Sequence, residues 1–250
     1  MKIILTFSCI ALLACSNSTS QQIELQKSMA QFDQAFLPML LYTYEGNTVQ
    51  AKKMVFYVEF QWQRLKNQHQ NQIAEPDWKE TFRSVSDWLS DAYYAIDADC
   101  PELALSHLEH AKYELIALRE QYDIDYYLDD LYDFQTTIDL VYETANDEML
   151  CLLQWEDLEQ QVTDANFAWQ VALAQPFDKQ LFEFDENKEM QRRIAMQAVS
   201  DAMGHLNEML ECADREQVAL ACKKLVPVFM QVLQLFGNFE ESATYFAQQQ

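Results

Sequence analysis

Apolar residues recur at helical spacing along the chain, and residues 101–121 show the pattern most clearly. At about 100° per residue, one arc of this segment collects Leu103, Ala104, His107, Leu108, Ala111, Leu115 and Leu118. Residues that interrupt helices are scarce, with three glycines and five prolines in 250 residues. Because several short strands would need more turn residues than this, the sequence predicts an all-α fold.

Local signals at helix ends divide the chain into eight predicted helices. Gly46 can take the left-handed conformation that ends a helix, and Asn47 with Gln50 forms a capping box that begins the next. Further starts are indicated by Asp77 with Glu80, by Pro101, and by Asp214 with Gln217. The predicted helices cover about 23–45, 47–73, 77–97, 101–121, 125–145, 147–175, 186–212 and 214–236.

The last four predicted helices resemble the first four. The matching positions are Phe32 with Phe134, Trp62 with Trp169, Leu89 with Val199, and Ala104 with Ala219, at offsets of 102, 107, 110 and 115. Their shared order indicates an internal repeat. We therefore predict two tandem antiparallel four-helix units, residues 23–122 and 123–250, joined by short loops. An α-solenoid of helical pairs is the alternative.

The charge balance narrows the classes of partner. The chain has 40 acidic and 17 basic residues, for a formal charge of −23, and half of its residues are hydrophobic. That hydrophobic content argues against disorder. An acidic surface repels phosphate backbones and anionic lipid headgroups, which argues against nucleic-acid binding.

The N-terminus has the order of an export signal. Lys2 precedes an apolar run over residues 3–13, which is too short to span a bilayer. The sequence Leu12-Leu13-Ala14-Cys15 closes this run and resembles the bacterial lipobox, in which the cysteine is acylated. The resemblance implies a signal peptide over 1–14 and a polar tether over 15–22. Ser16, rather than Asp, follows the cysteine, which resembles the outer-membrane sorting signal of that family. The resemblance therefore implies an outer-membrane lipoprotein held by its acyl chains and facing the periplasm. An ordinary signal peptide that contains Cys15 is the alternative.

The chain contains no motif that identifies an enzyme. It has no Cys-x-x-Cys-His for c-type haem and no Glu-x-x-His for a di-iron site. A glycine-rich phosphate loop, a His-Glu-x-x-His motif and a serine-hydrolase elbow are also absent. The sequence therefore favours a non-enzymatic accessory or scaffold protein.

Soft-metal ligands concentrate at one end of the second unit. On the seventh predicted helix His205, Met209 and Cys212 follow i, i+4, i+7 spacing. Thiolates, thioethers and imidazole select Cu(I). The full candidate set is Met149, Cys151, His205, Met209, Cys212 and Cys222. Two alternatives are a disulfide between Cys151 and Cys212 and plain core packing.

A second ligand set lies in the first unit. His107 falls within the apolar arc of the fourth predicted helix, and Glu114 lies at the edge of this arc. Met39 belongs to the antiparallel first helix and lies at the same end of the predicted bundle. These three could ligate a metal or b-type haem. The alternative is a core histidine that is satisfied by hydrogen bonding.

The acidic residues are unevenly distributed. Residues 120–178 contain fifteen acids and no lysine or arginine. Tyrosines are interleaved with the acids, and the predicted partner-binding residues are Asp125, Asp129, Asp130 and Asp133. Such a face is suited to docking a basic periplasmic partner, with charge setting the encounter rate and aromatic rings the contact. The alternative is a solvated face over core tyrosines.

Overall fold

The computed structural model describes the backbone of residues 8–147 and 152–240 and the side chains of 21–147 and 155–240. Within these ranges the chain forms eight α-helices and no strand, which confirms the all-α prediction. The helices are α1 Ser8–Tyr44, α2 Thr48–His69, α3 Pro76–Asp97, α4 Pro101–Gln121, α5 Tyr127–Asn146, α6 Leu152–Ala174, α7 Glu186–Glu211 and α8 Arg215–Gln234.

Helix α1 begins well before its predicted start near residue 23. Its backbone is helical through residues 15–22, which were expected to form a separate polar tether. Residues 8–37 contain no glycine or proline, so nothing in this stretch ends the helix. Gly46, at φ +71°, terminates it as predicted. Residues 1–7 of the predicted signal peptide lie outside the described residues, and Cys15 is described by its backbone alone.

Two of the predicted helix caps are confirmed, and one is wrong. Asn47 accepts a hydrogen bond from the Gln50 amide at 3.2 Å, and Asp214 accepts one from the Gln217 amide at 3.3 Å. Helix α3 begins at Pro76 instead, behind a glutamate that makes no side-chain cap. Because proline presets helical φ and has no amide to cap, it begins this helix without Asp77 in the capping position.

The helices group into two compact units. The first contains α1–α4 and residues 238–240, and the second is Tyr126–Gly237 with α5–α8. Within the first unit α1 packs on α2, α3 on α4, and α1 on α4. Within the second unit α5 packs on α6, α7 on α8, and α5 on α8. Consecutive helices joined by short loops run antiparallel, so each unit is a four-helix bundle.

The core of each unit contains a buried tryptophan whose indole N–H donates a hydrogen bond to a serine. The Trp62 N–H donates to Ser86 Oγ at 2.9 Å, and the Trp169 N–H donates to Ser200 Oγ at 2.9 Å. Both serines in turn donate to a carbonyl one turn earlier in their own helix. The repeated pattern satisfies a buried indole N–H in both cores.

Burial corrects the register of the internal repeat. Offsets of 102 and 107 hold for the first two helices of each unit, but both of the last two helices align at 114. The counterpart of Val199 is therefore Val85, not Leu89, and both valines are fully buried. Ala104 likewise corresponds to the buried Val218 and not to half-buried Ala219. The Ser-Asp dipeptide occurs twice in α3, one turn apart, and the sequence match selected the wrong copy.

Pro38 lies inside α1 and leaves one backbone carbonyl of this helix available to the C-terminal segment. Pro38 has no N–H to donate to the Gln34 carbonyl four residues earlier. The Asn238 amide donates to that carbonyl instead, at 2.8 Å. Phe239 adds an edge contact with Tyr42 at 5.6 Å between ring centroids. These contacts fix residues 238–240 to the first unit.

Candidate binding groove on the second unit

Helices α5 and α6 present an unusually uniform charge. Together they contain nine acidic residues and no lysine, arginine or histidine. The nine are Asp129, Asp130, Asp133, Asp139, Glu143, Glu156, Asp157, Glu159 and Asp164. Paired helices with this charge create a negative potential in any concave surface between them.

Such a concave surface lies along the α5–α6 pair and has a volume of about 460 Å³. We call it the acidic groove. Among the residues that the structure describes, its lining comes from these two helices and consists of Asp130, Asp133, Thr136, Thr137, Asp164, Phe167, Ala168 and Val171. The volume lies within the range of roughly 300 to 1,000 Å³ that is typical of ligand sites in proteins.

The apolar part of the groove comes from α6. Phe167 is 72% exposed and Val171 is 37% exposed, whereas Ala165 and Trp169 face the core of the unit. Phe167 lies two residues from each of these core positions, which is about 200° around the helix. Helical geometry therefore directs the Phe167 side chain away from the core. The ring does not contribute to the core packing of the unit.

The carboxylates supply the charge of the groove. Thr136 and Thr137 use their hydroxyl protons within α5, donating to carbonyls at 3.0 and 2.8 Å. On the opposite wall the Asp164 carboxylate accepts a hydrogen bond from the side-chain amide of Gln160 at 2.8 Å. No cationic side chain is among the eight lining residues. The groove therefore combines two carboxylates on the α5 wall with one carboxylate and three apolar side chains on the α6 wall.

The structure places two of the four predicted docking residues in this groove. Asp130 and Asp133 line it, while Asp125 precedes α5 and Asp129 is half-buried outside the lining. The tyrosines of this segment differ in exposure, and Tyr122 and Tyr142 are half-buried. Tyr126, Tyr127 and Tyr132 are all buried.

Sequence reasoning missed Asp164, Phe167 and Val171, which come from a different helix than the predicted docking residues. A signal for them was present. The segment without basic residues extends through α6, and Phe167 falls on the polar side of that helix.

The first unit lacks an equivalent groove chemistry. At the offsets of 102 and 107, Asp133 corresponds to Gln31, Asp164 to Tyr57, and Val171 to Arg64. Only the exposed aromatic is kept, since Phe167 corresponds to Phe60, which is 47% exposed. The two units share their core positions but differ here. The acidic groove is thus specific to the second unit and is not required by the shared fold.

The soft-metal candidates are only partly described. Met149 and Cys151 lie outside the described residues, so their predicted disulfide or ligand roles stay predictions. His205 is 46% exposed by its side chain and lies 3.7 Å from the Glu208 carboxylate. Met209 is half-buried.

The cysteines of this set have contrasting environments. Cys212 is exposed at the C-terminus of α7. Cys222 is fully buried, and burial raises the pKa of its thiol to about 12. Among the described residues, Cys100, Cys212 and Cys222 form no disulfide.

The three residues of the second ligand set have different surroundings. His107 stacks on Trp88 at 5.6 Å between centroids, and its buried Nδ1 has no hydrogen-bond partner. Glu114 accepts a hydrogen bond from Ser84 at 3.0 Å, and Met39 is fully buried. Across the described part of the chain, no three His, Cys, Asp or Glu side chains are grouped closely enough to hold a metal ion.

An ion-pair cluster secures the end of the second unit where α5 begins. Glu189 accepts hydrogen bonds from Arg192 Nε at 2.8 Å and Nη2 at 2.9 Å, and from Arg193 Nε at 2.8 Å. The bonds from Arg192 are the main reason that the pKa of Glu189 falls to about 2. Arg192 also lies 4.2 Å from the ring centroid of Phe177 and donates to the Tyr127 hydroxyl at 3.1 Å. This cluster holds the first turn of α5.

The described residues include no helix that is both long enough and apolar enough to span a bilayer. No protein-family model, curated protein or solved structure matches the chain.

Proposed function

We propose that this protein is a non-enzymatic accessory protein that binds a basic partner through the acidic groove. The observation that carries this proposal is an exposed phenylalanine in a groove that is lined by carboxylates from two helices, neither of which contains a basic residue. Phe167 and Val171 give this surface exposed apolar contact area beside the carboxylates. The acidic groove has no counterpart on the corresponding face of the first unit, which supports a role for the groove beyond folding.

The two components of the groove have different roles in binding. The carboxylates attract a cationic partner from a distance, which raises the association rate and makes it depend on ionic strength. The Phe167 ring supplies the contact area that holds the complex once it has formed, because aromatic side chains dominate the energetics of interfaces. Binding should therefore weaken as salt screens the field over about 8 Å at physiological strength.

The site of action belongs to the same proposal. Resemblance of residues 12–15 to a lipobox supports attachment to the bacterial outer membrane by acyl chains on Cys15, with both units in the periplasm. The net charge of −23 supports acyl chains as the means of attachment, since the surface repels anionic lipid headgroups.

Capture of envelope proteins at low and high salt tests the proposal. The test variant replaces Asp130, Asp133 and Asp164 with Asn, and the matched control replaces the exposed Asp91, Glu102 and Glu120 of the first unit with their amides. We expect a basic partner that is retained at low salt by the wild type and the control and is lost with the groove variant. Equal retention by all three proteins, or at both salt concentrations, contradicts the proposal.

A further inference from the structure

We infer that the acidic groove binds an amphipathic α-helix of the partner, with an apolar stripe flanked on both sides by lysine or arginine. This inference rests on the proposed function and specifies the form of the basic partner. It depends on the shape of the groove, on the placement of its charges and on its absence from the first unit.

The shape of the groove favours a helix over a compact ligand. Every lining residue in the described part of the chain comes from α5 or α6, so the groove is an open trough between two helices there. The lining covers residues 130–137 of α5 and 164–171 of α6, which is about 10 Å along each helix at 1.5 Å per residue. An apolar helix face fits such an open trough and contacts it through residues at i, i+3, i+4 and i+7.

Carboxylates line both walls of the groove. Asp130 and Asp133 belong to α5, whereas Asp164 belongs to α6, one turn before Phe167 on the same helix face. A helix that lies in the groove with its apolar side chains against Phe167 and Val171 therefore meets carboxylates from α5 and from α6. Basic residues on both sides of the apolar stripe complement this arrangement, and an acidic or neutral helix does not.

Phe167 is the anchor that distinguishes this mode of binding from charge attraction alone. With 72% of its surface exposed, it can be covered by the apolar stripe of the bound helix. Its ring also offers a face to a cation from the same helix. Removing it should weaken binding by about tenfold or more, as loss of a central aromatic anchor does at interfaces.

Two synthetic peptides of identical Leu, Lys and Ala composition test the inference. One arranges its leucines in a single helical stripe flanked by lysines, and the other has the same residues permuted so that no stripe forms. Their binding to the purified full chain in detergent micelles is followed by fluorescence anisotropy, with empty micelles as the blank. The variants are Phe167→Ser and its matched control Phe60→Ser, at the corresponding position of the first unit.

We expect the striped peptide to bind the wild type and Phe60→Ser equally, and to bind Phe167→Ser about tenfold more weakly. The permuted peptide should bind all three weakly. Phe167 is exposed, so its replacement should leave the helical circular dichroism unchanged, and Asp164→Asn gives a second variant with the same expected loss. If both peptides bind equally and Phe167→Ser has no effect, the helix inference is wrong while the proposed function stands. If neither peptide binds at low salt, both are wrong.

Discussion

Replacing Glu189 with Gln should destabilise the second unit in a way that depends on pH. The Glu189 side chain is 9% exposed and accepts hydrogen bonds from two arginines. Its pKa falls from 4.5 to about 2. At about 1.36 kcal/mol per pH unit, this difference corresponds to about 3 kcal/mol of stability at neutral pH.

The direction of the pH dependence follows from the lowered pKa. A carboxyl that is more acidic in the folded state contributes fully above about pH 4.5 and loses its contribution as the pH falls towards 2. We therefore expect Glu189→Gln to cost about 2 to 3 kcal/mol at pH 7, but only about 1 kcal/mol at pH 3. Glutamine keeps the size and one acceptor oxygen, so the loss reports mainly on the charge.

Urea unfolding of the full chain, followed by far-ultraviolet circular dichroism at pH 7 and pH 3, measures these differences. The matched control is Glu80→Gln, which removes the carboxylate of the exposed pair with Arg83. An exposed pair of this kind contributes roughly 0 to 1 kcal/mol. The reasoning is refuted if Glu189→Gln costs no more than Glu80→Gln at pH 7, or if its cost is the same at both pH values.

Three further predictions concern the core, the thiols and the anchor. Phe134→Ala should cost about 3 to 5 kcal/mol in urea unfolding because it empties a buried site, whereas Phe167→Ala should change stability by less than about 0.5 kcal/mol. Under native conditions a thiol reagent should label the exposed Cys212 and leave Cys222, whose pKa is raised to about 12, unmodified; mass spectrometry of the labelled peptides decides this. Cys15→Ala should abolish fatty-acid incorporation and release the protein from the membrane fraction.

The parts of the fold that depend on neighbouring residues could be predicted from the sequence. Helical spacing and the scarcity of glycine and proline determined the class. Asn47 and Asp214 revealed helix starts because capping involves residues only two or three positions away. The upstream extension of α1 was missed because no breaker marks its start, and a polar composition alone does not end a helix.

Features that depend on packing could not be obtained in this way. The register of the third and fourth repeated helices required burial, since Val85 and Leu89 both lie on the core side of α3 one turn apart. The acidic groove depends on Asp133 and Phe167, which come from different helices and meet only when α5 packs on α6. Sequence reasoning found the excess of acids but did not identify Phe167 as an exposed aromatic residue among them.

Hydroxyl-radical footprinting of the full chain, with and without the striped basic peptide, tests the central claim most directly. It reports on Phe167 and Phe60 in the same molecule, at starting exposures of 72% and 47%. We expect the peptide to reduce oxidation of Phe167 several-fold at low salt, to leave Phe60 unchanged, and to lose this effect at high salt. Unchanged oxidation of Phe167 at saturating peptide, or equal protection of Phe60, would contradict binding in the acidic groove.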